Sequence, residues 1–195
     1  MPRGGRAGRH AQRTANTLAL RAQLTLALAA LTAWASVTHA PAPLAPYGLA
    51  GAAAIALASR LRARTARRWQ HGAAGERLVA RRLRRLPRTW TVLHDIDRGR
   101  GNIDHIAIGP HGVFTIETKL HHAGSRELQQ ARGHAAWCAK RTGRPATAVL
   151  CVALGTSSPK QYACVWVMGP RHLPRFLRRH RGARLDVDHV AARLI

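Results

Sequence analysis

The chain has 195 residues, enough for one globular domain and an additional segment. It carries 32 lysines and arginines against 8 acids, and the net charge of +24 indicates a polyanionic partner, either nucleic acid or an anionic membrane surface. Its three widely spaced cysteines argue against a disulfide framework and favour buried thiols in a reducing compartment.

The N-terminal part is predicted to anchor the chain in a membrane. Residues 1–21 are rich in Arg and Gly and are expected to be a disordered basic tail, whereas residues 22–59 hold two uncharged apolar runs joined by a proline-rich connection. Arginines flank both outer ends, including a basic linker at 60–70, and none lies between the runs. This positive-inside pattern predicts a two-helix transmembrane hairpin with both termini in the cytoplasm. Ala50, Ala54 and Ala58 have the small-residue spacing of a helix contact.

Two other interpretations of residues 22–59 stay open. The basic start, the first apolar run and Thr38-His39-Ala40 also fit a secretory signal that is cleaved after Ala40. In the other interpretation the two helices are soluble and pack on the domain. Each apolar run is slightly shorter than the roughly 20 residues of a membrane-spanning helix, so length alone does not decide.

The remainder alternates helix and strand signals. Apolar residues at helical spacing predict a helix over 72–86, ended by Pro87, and Thr89–Ile96 predicts a strand before a β-hairpin. A helix over 126–141 and strands over 147–154 and 162–168 follow. This order of helix, three strands, helix and two strands predicts an α/β domain over 71–168, and residues 169–195 are expected to form short basic helices.

Residues Asn102–Lys119 are predicted to form this hairpin around the turn Gly109–Gly112. If the turn is symmetric, Asp104 lies opposite Glu117 and Asn102 lies opposite Lys119. Two opposed carboxylates repel unless a proton or a cation lies between them, so the hairpin end is a candidate divalent-metal site. An odd-length loop would break the opposition, leaving a chance Asp and an ordinary surface Glu-Lys pair.

Five of the eight acids, from Asp95 to Glu127, crowd around this hairpin. Glu76, in the first turn of the preceding helix, either complements the helix dipole or projects toward the site. The nearby histidines His105, His121 and His122 have neither cysteine partners nor HExxH spacing, so zinc is not favoured.

Four motifs together resemble the nuclease-related domain (NERD) family of the PD-(D/E)XK nuclease-like superfamily: Gly72-Ala-Ala-Gly-Glu76, Asn102-Ile-Asp-His105, Gly109-Pro-His-Gly-Val-Phe114 and Glu117-Thr-Lys119. The resemblance covers about residues 71–168 and implies a restriction-endonuclease-like core with a mixed central sheet. It implies an Mg²⁺-dependent phosphodiesterase site, with Mn²⁺ as a substitute ion.

The resemblance also implies a role for each site residue. Asp104 and Glu117 correspond to the metal-binding acids, Lys119 to the motif lysine and Glu76 to the acid of the first helix. Gln130, with Gln129 close behind, corresponds to a glutamine of the following helix. The Asn-Pro expected before that glutamine is replaced here by Arg126-Glu127-Leu128.

These observations predict a membrane-tethered, divalent-metal-dependent nuclease at the cytoplasmic face of the membrane, acting on DNA in preference to RNA. The alternative is a non-catalytic nucleic-acid-binding or scaffolding module that keeps the nuclease-like fold. A third hypothesis is a membrane protein whose basic surface binds anionic lipid.

Overall fold

The computed structural model of the chain describes residues 7–99 and 101–195, which divide into two compact units. One unit is His10–His71, and the other contains Gly72–Ile195 with the described residues up to Arg9. The elements in chain order are α1 (Arg9–Thr38), α2 (Ala45–Leu83), β1 (Thr91–Asp97), β2 (Asn102–Gly109), β3 (Gly112–Lys119), α3 (Ser125–Thr142), β4 (Ala146–Val152), β5 (Lys160–Tyr162), β6 (Val165–Met168), α4 (Leu173–Arg179) and α5 (Val187–Ala192).

The unit His10–His71 is a pair of helices that meet through small side chains. The Ser59 hydroxyl donates a hydrogen bond to the Ala22 carbonyl oxygen over 2.7 Å. A strict repeat of seven keeps a helix seam facing its partner, and small residues in the seam let the backbones approach closely. The buried residues at this spacing are Ala15, Ala22, Ala29 and Ser36 in α1, and Ala52, Ser59 and Ala66 in α2.

The prediction that Ala50, Ala54 and Ala58 form the helix contact is therefore wrong. Ala50 and Ala54 are exposed and Ala58 is only partly buried, because the buried seam passes through Ala52 and Ser59 instead. Four-residue spacing and seven-residue spacing both occur in this alanine-rich run, and only the packing of α1 against α2 decides between them.

The large apolar side chains of this helix pair point outward. Leu24, Leu31, Trp34 and Val37 are each more than half exposed, with values of 63%, 59%, 58% and 69%. Within the described residues, α1 is the one helix that is long and apolar enough to cross a membrane by length and composition, with a mean hydropathy of 1.4 over its most apolar window. Core helices and signal sequences meet the same criterion.

Two basic segments differ from their prediction. α1 begins at Arg9, so residues 9–21 of the predicted disordered tail are helical, while residues 1–6 lie outside the described part of the chain. The predicted linker 60–70 lies within α2 and is helical as well. Arginine and alanine are both good helix formers, so the apolar helices extend through the neighbouring basic stretches.

The second unit is built on a six-stranded mixed sheet with the strand order β1-β2-β3-β4-β6-β5. β1, β2 and β3 are antiparallel neighbours, β3, β4 and β6 are parallel, and β5 pairs antiparallel with β6. The parallel connection from β3 to β4 runs through α3, which ends at Gly143 in the left-handed conformation with φ 69°.

The register predicted for the hairpin is confirmed where β2 and β3 pair. Gly109 faces Gly112, Ile108 faces Val113, and the ladder continues in this register to His105 and Ile116. The β-branched residues of both strands are buried because the sheet is covered on both faces.

Helices cover both faces of this sheet. Val79 and Leu83 of α2 share one core cluster with Leu173 and Leu177 of α4. On the other face, α3 contributes Ala131, Ala135 and Cys138, and α5 contributes Val190 and Ala191. The predicted α/β core with a mixed sheet is thus confirmed.

The predicted last strand, 162–168, is in fact a tight hairpin. β5 ends at Tyr162, and Ala163 and Cys164 have positive φ values of 45° and 64° before β6 begins at Val165. Two successive residues with positive φ are typical of the two-residue turn of a β-hairpin. Cys164 is consequently exposed, contrary to the prediction of buried thiols, whereas burial raises the pKa of Cys138 and Cys151 to about 12.

Candidate active site

The end of β3 carries an ion pair between Glu117 and Lys119. Side chains two residues apart in a strand lie on the same face of the sheet. Lys119 Nζ donates a hydrogen bond to Glu117 Oε1 over 2.8 Å. The Glu117 side chain is 3% exposed and the Lys119 side chain is 31% exposed, so the carboxylate lies in the interior and the ammonium group lies near solvent.

Two residues of α3, one turn apart, flank this ion pair. Gln130 Oε1 accepts a long hydrogen bond of 3.4 Å from Lys119 Nζ. His134 Nδ1 lies 3.1 Å from Glu117 Oε2, and the His134 side chain is 2% exposed. The structure thus brings Gln130 to Lys119, and it adds His134, which the sequence analysis missed. The available signal was a polar residue on the stripe that Ala131, Ala135 and Cys138 bury against the sheet.

Asp104 approaches β3 from the neighbouring strand. The ladder between β2 and β3 ends at His105–Ile116, one residue short of the predicted pair Asp104–Glu117. Asp104 Oδ2 instead accepts a hydrogen bond of 2.7 Å from the backbone N–H of Thr118. The predicted pairing of Asn102 with Lys119 likewise lies beyond the end of this ladder.

Glu76 lies in the interior of α2, far from the start of that helix at Ala45. The interpretation that it complements a helix dipole is therefore wrong. Gly75 allows α2 to approach the sheet closely, since a Cβ atom there would lie 3.5 Å from Thr118 Cγ2 and 3.3 Å from Ala153 Cβ. Burial, followed by the negative charges of Asp95 and Glu117, raises the pKa of Glu76 to about 7.

Asp95 is a further acid of the site that the sequence analysis did not assign. It has a positive φ of 57°, an uncommon conformation for a residue with a side chain. Asp95 Oδ1 accepts a hydrogen bond of 2.6 Å from the Asn102 side-chain amide. The crowding of acids in the sequence included Asp95, but its irregular backbone could not be read from the strand pattern.

The acids of the site differ in how easily they ionise. Burial, then the charges of Glu117 and Glu76, raises the pKa of Asp104 well above its usual range. Burial would also raise the pKa of Glu117, but His134 and Lys119 together lower it below its ordinary value. Burial would lower the pKa of Lys119, but the Glu117 carboxylate raises it. The Glu117–Lys119 pair is therefore charged at neutral pH, whereas Lys119 offsets only part of the effect that burial and neighbouring acids have on the pKa of Asp104 and Glu76.

The predicted histidines lie in two different environments. His105 is buried, and its Nδ1 lies 2.8 Å from Nδ1 of His94. Burial is the largest cause that lowers the pKa of both rings, so a neutral pair with one ring donating to the other accounts for this contact. His121 and His122 are exposed.

The donor set fits a hard divalent cation. Glu117 Oε2 is buried and receives no aligned hydrogen bond from the described residues, and a buried carboxylate oxygen is costly unless it is paired. Within residues 7–99 and 101–195, no three His, Cys, Asp or Glu side chains are grouped so as to hold one ion. Mg²⁺ is commonly bound through one or two carboxylates and keeps several waters, so two carboxylates such as those of Asp104 and Glu117 would be enough to hold it.

A mixed α/β sheet with two acids and a lysine at the ends of adjacent strands is consistent with a nuclease-like core. Residues 71–153 match the family model of NERD, the nuclease-related domain, so this part of the chain is similar to that family. The match ends before β5 and β6. No curated protein and no solved structure is significantly similar to the chain.

The pKa of Glu76 leads to a testable pH dependence. Between the ordinary value of 4.5 and about 7, native Glu76 holds a proton that the unfolded chain has lost. Native stability therefore falls as the pH rises through this window. Melting curves in EDTA from pH 5 to 8 should show Glu76→Gln gaining stability relative to wild type as the pH rises.

Glu127→Gln is the matched control because the pKa of Glu127 is shifted in the opposite direction. Hydrogen bonds at the start of α3 hold this pKa below its ordinary value of 4.5, so Glu127 is ionised in both the native and the unfolded chain above about pH 5, and this variant should differ from wild type by a nearly constant amount from pH 5 to 8. If Glu76→Gln followed the pH profile of Glu127→Gln, the carboxyl group of Glu76 would not be destabilised by its surroundings.

Proposed function

We propose that the chain is a membrane-tethered, divalent-metal-dependent nuclease that hydrolyses phosphodiester bonds of nucleic acid, with DNA as the substrate. The observation that carries this proposal is the convergence of Asp104, Glu117 and Lys119 at the ends of β2 and β3. The match to the nuclease-related domain supports the class of reaction.

The site residues suit this chemistry. Asp104 and Glu117 would hold Mg²⁺ or Mn²⁺, and a bound ion lowers the pKa of a coordinated water and draws in the scissile phosphate. Lys119 lies at the solvent-facing side of the pair, where its ammonium group can orient the attacking water and stabilise charge that develops on the phosphate. Gln130 would hold Lys119 in place through the contact described above.

A basic surface on the α2–α4 face of the sheet supports a polyanionic substrate. The only acid in α2 or α4 is Glu76, which is partly buried. Arginines contact phosphates without reading base sequence, so this surface favours binding along a nucleic-acid backbone. The exposed arginines of these helices in the second unit are Arg77, Arg81, Arg175, Arg178 and Arg179, and the adjoining turns expose Arg84, Arg85, Arg88 and Arg171.

The proposal is tested with the full-length protein purified in detergent. It should cleave duplex DNA when Mg²⁺ or Mn²⁺ is present and stop in EDTA, while RNA of the same sequence is cleaved more slowly. DNA binding should weaken linearly with the logarithm of salt concentration, as expected for phosphate contacts. Tight binding to anionic lipid vesicles without binding to DNA would instead support the lipid-binding hypothesis.

One observation favours the alternative of a non-catalytic nucleic-acid-binding or scaffolding module. In the part of the chain that the structure describes, no three-ligand metal group is formed. Such a module would bind DNA equally well with and without divalent metal. Salt-dependent binding combined with no cleavage at any metal concentration would establish this alternative.

The exposed leucines of the unit His10–His71 support the membrane tether. A soluble helix pair buries its large apolar side chains, whereas this pair buries alanine and serine and exposes leucine and tryptophan. Small residues at the helix contact and large apolar residues outside are the arrangement of helices packed in lipid. We propose a hairpin over residues 22–59 in the cytoplasmic membrane, with the nuclease-like domain and both termini in the cytoplasm.

Topology reporters should show this arrangement. Fusions at Met1 and Ile195 are expected to report the cytoplasm, and a reporter inserted at Pro43 in the connection should report the opposite side, because arginines flank only the outer ends. Full-length protein that remains soluble without detergent would contradict the hairpin. A mature chain that begins at Pro41 would indicate signal cleavage instead.

A further inference from the structure

Four side chains form a closed frame between β3 and α3. Glu117 and Lys119 lie two residues apart on the strand, and Gln130 and His134 lie one turn apart on the helix. Lys119 contacts Gln130 at 3.4 Å, and Glu117 contacts His134 at 3.1 Å. Residues at i and i+4 of a helix are surface neighbours, so one turn of α3 matches the spacing of the pair on the strand.

The two partners of Glu117 differ in how firmly they are held. Lys119 reaches Oε1 from a long side chain that is 31% exposed, and such a side chain keeps much of its rotamer freedom. His134 reaches Oε2 from a side chain that is 2% exposed, on a helix whose neighbouring Ala131 and Ala135 are buried. A ring packed in this way has little freedom to move, so His134 restrains the position of the Glu117 carboxylate more firmly than Lys119 does.

The Glu117–His134 contact also leaves Glu117 able to bind a cation. The distance is that of an ion pair, but neither Oε2 nor Nδ1 has an aligned hydrogen-bond partner among the described residues. Oε2 has two lone pairs, and the contact with Nδ1 uses at most one of them. The observed geometry restrains the carboxylate and keeps a lone pair for another partner.

We propose that His134 is a positioning residue that fixes the Glu117 carboxylate for binding a divalent cation together with Asp104. This inference rests on the proposed function, since it concerns the same site. Residues that hold a metal-binding carboxylate from behind typically contribute about 10–100-fold to metal affinity. His134 acts through Glu117 and not on the substrate.

Three variants of the full-length protein test the inference, with Mn²⁺ affinity measured by calorimetry in detergent. His134→Leu keeps the volume and removes the nitrogen. His134→Asn places an amide N–H where Nδ1 lies, because both groups branch from Cγ. Cys138→Ala is the control for packing, because Cys138 is buried on the same stripe of α3 and belongs to the core.

His134→Leu should bind Mn²⁺ about 10–100-fold more weakly, while His134→Asn and Cys138→Ala keep most of the wild-type affinity. Wild-type affinity in His134→Leu would overturn the inference and leave the proposed function intact. Equal loss in the Leu and Asn variants would overturn it too, since the imidazole itself would then be required as a ligand. If wild type bound no Mn²⁺, the proposed function would fail together with the inference.

Discussion

Mg²⁺ or Mn²⁺ should raise the melting temperature of the wild-type protein, and Glu117→Gln should abolish both this shift and any cleavage. A ligand that binds only the native state stabilises it, by about 2.7 kcal/mol at 100 times the dissociation constant. Glutamine keeps the shape of Glu117 and removes the charge that a hard cation requires. For a chain of this size the wild-type shift is several degrees, measured by thermal melting of the full-length protein in detergent with metal or EDTA.

Asp188→Asn is the control for this experiment, because it also removes one acid. Asp188 lies in the first turn of α5, whose buried residues Val190 and Ala191 belong to the domain core. This variant should show the wild-type metal shift and the wild-type rate. If metal shifted neither melting nor cleavage of the wild type, and Glu117→Gln behaved identically, the nuclease proposal would give way to the scaffold alternative.

Asp104 and Glu117 are not equivalent, although the hairpin pattern predicts the same role for both carboxylates. Glu117 has two nitrogen partners that lower its pKa, whereas Asp104 has one backbone N–H and a raised pKa. The repulsion between the acids of the site therefore raises the pKa of Asp104 and Glu76 and not that of Glu117. In the metal-free protein, replacing Glu117 removes the charged partner of Lys119 and His134, so no gain in stability is expected from that change.

The sequence predicts the local part of this site well. Gly109-Pro110-His111-Gly112 between two β-branched runs defines the turn, and the period of two then fixes which side chains share a face. The shared face of Glu117 and Lys119 follows from these rules, whereas the predicted pair of Asp104 and Glu117 lies beyond the end of the ladder, where Asp104 contacts the Thr118 backbone instead. The helix predicted over 126–141 also agrees with α3, Ser125–Thr142, to within one residue at each end, and a left-handed glycine, Gly143, ends it.

The unpredicted parts depend on long-range packing. His134 reaches Glu117 only because α3 crosses the face of β3, and no spacing within α3 shows which strand it will cover. Asp95 joins the site through an irregular backbone with positive φ, and regular strand alternation cannot predict such a position. Likewise, the packing of α1 against α2 decides which small residues of each helix are buried at seven-residue spacing.

Lys119→Ala should abolish cleavage, by roughly 10²–10³-fold or more, while metal binding survives or becomes tighter. The ammonium group of Lys119 lies 2.8 Å from Glu117 Oε1, where it competes with a cation for the carboxylate and, in the proposed mechanism, stabilises charge on the phosphate. Removing it frees Oε1 for metal and leaves the transition state without its cation.

Lys140→Ala is the control, since Lys140 is exposed on α3 and its loss changes the net charge equally. Cleavage rates and Mn²⁺ calorimetry should separate the two variants. If Lys119→Ala lost metal binding and cleavage together, Lys119 would be a structural partner of Glu117 and would have no separate role in the reaction.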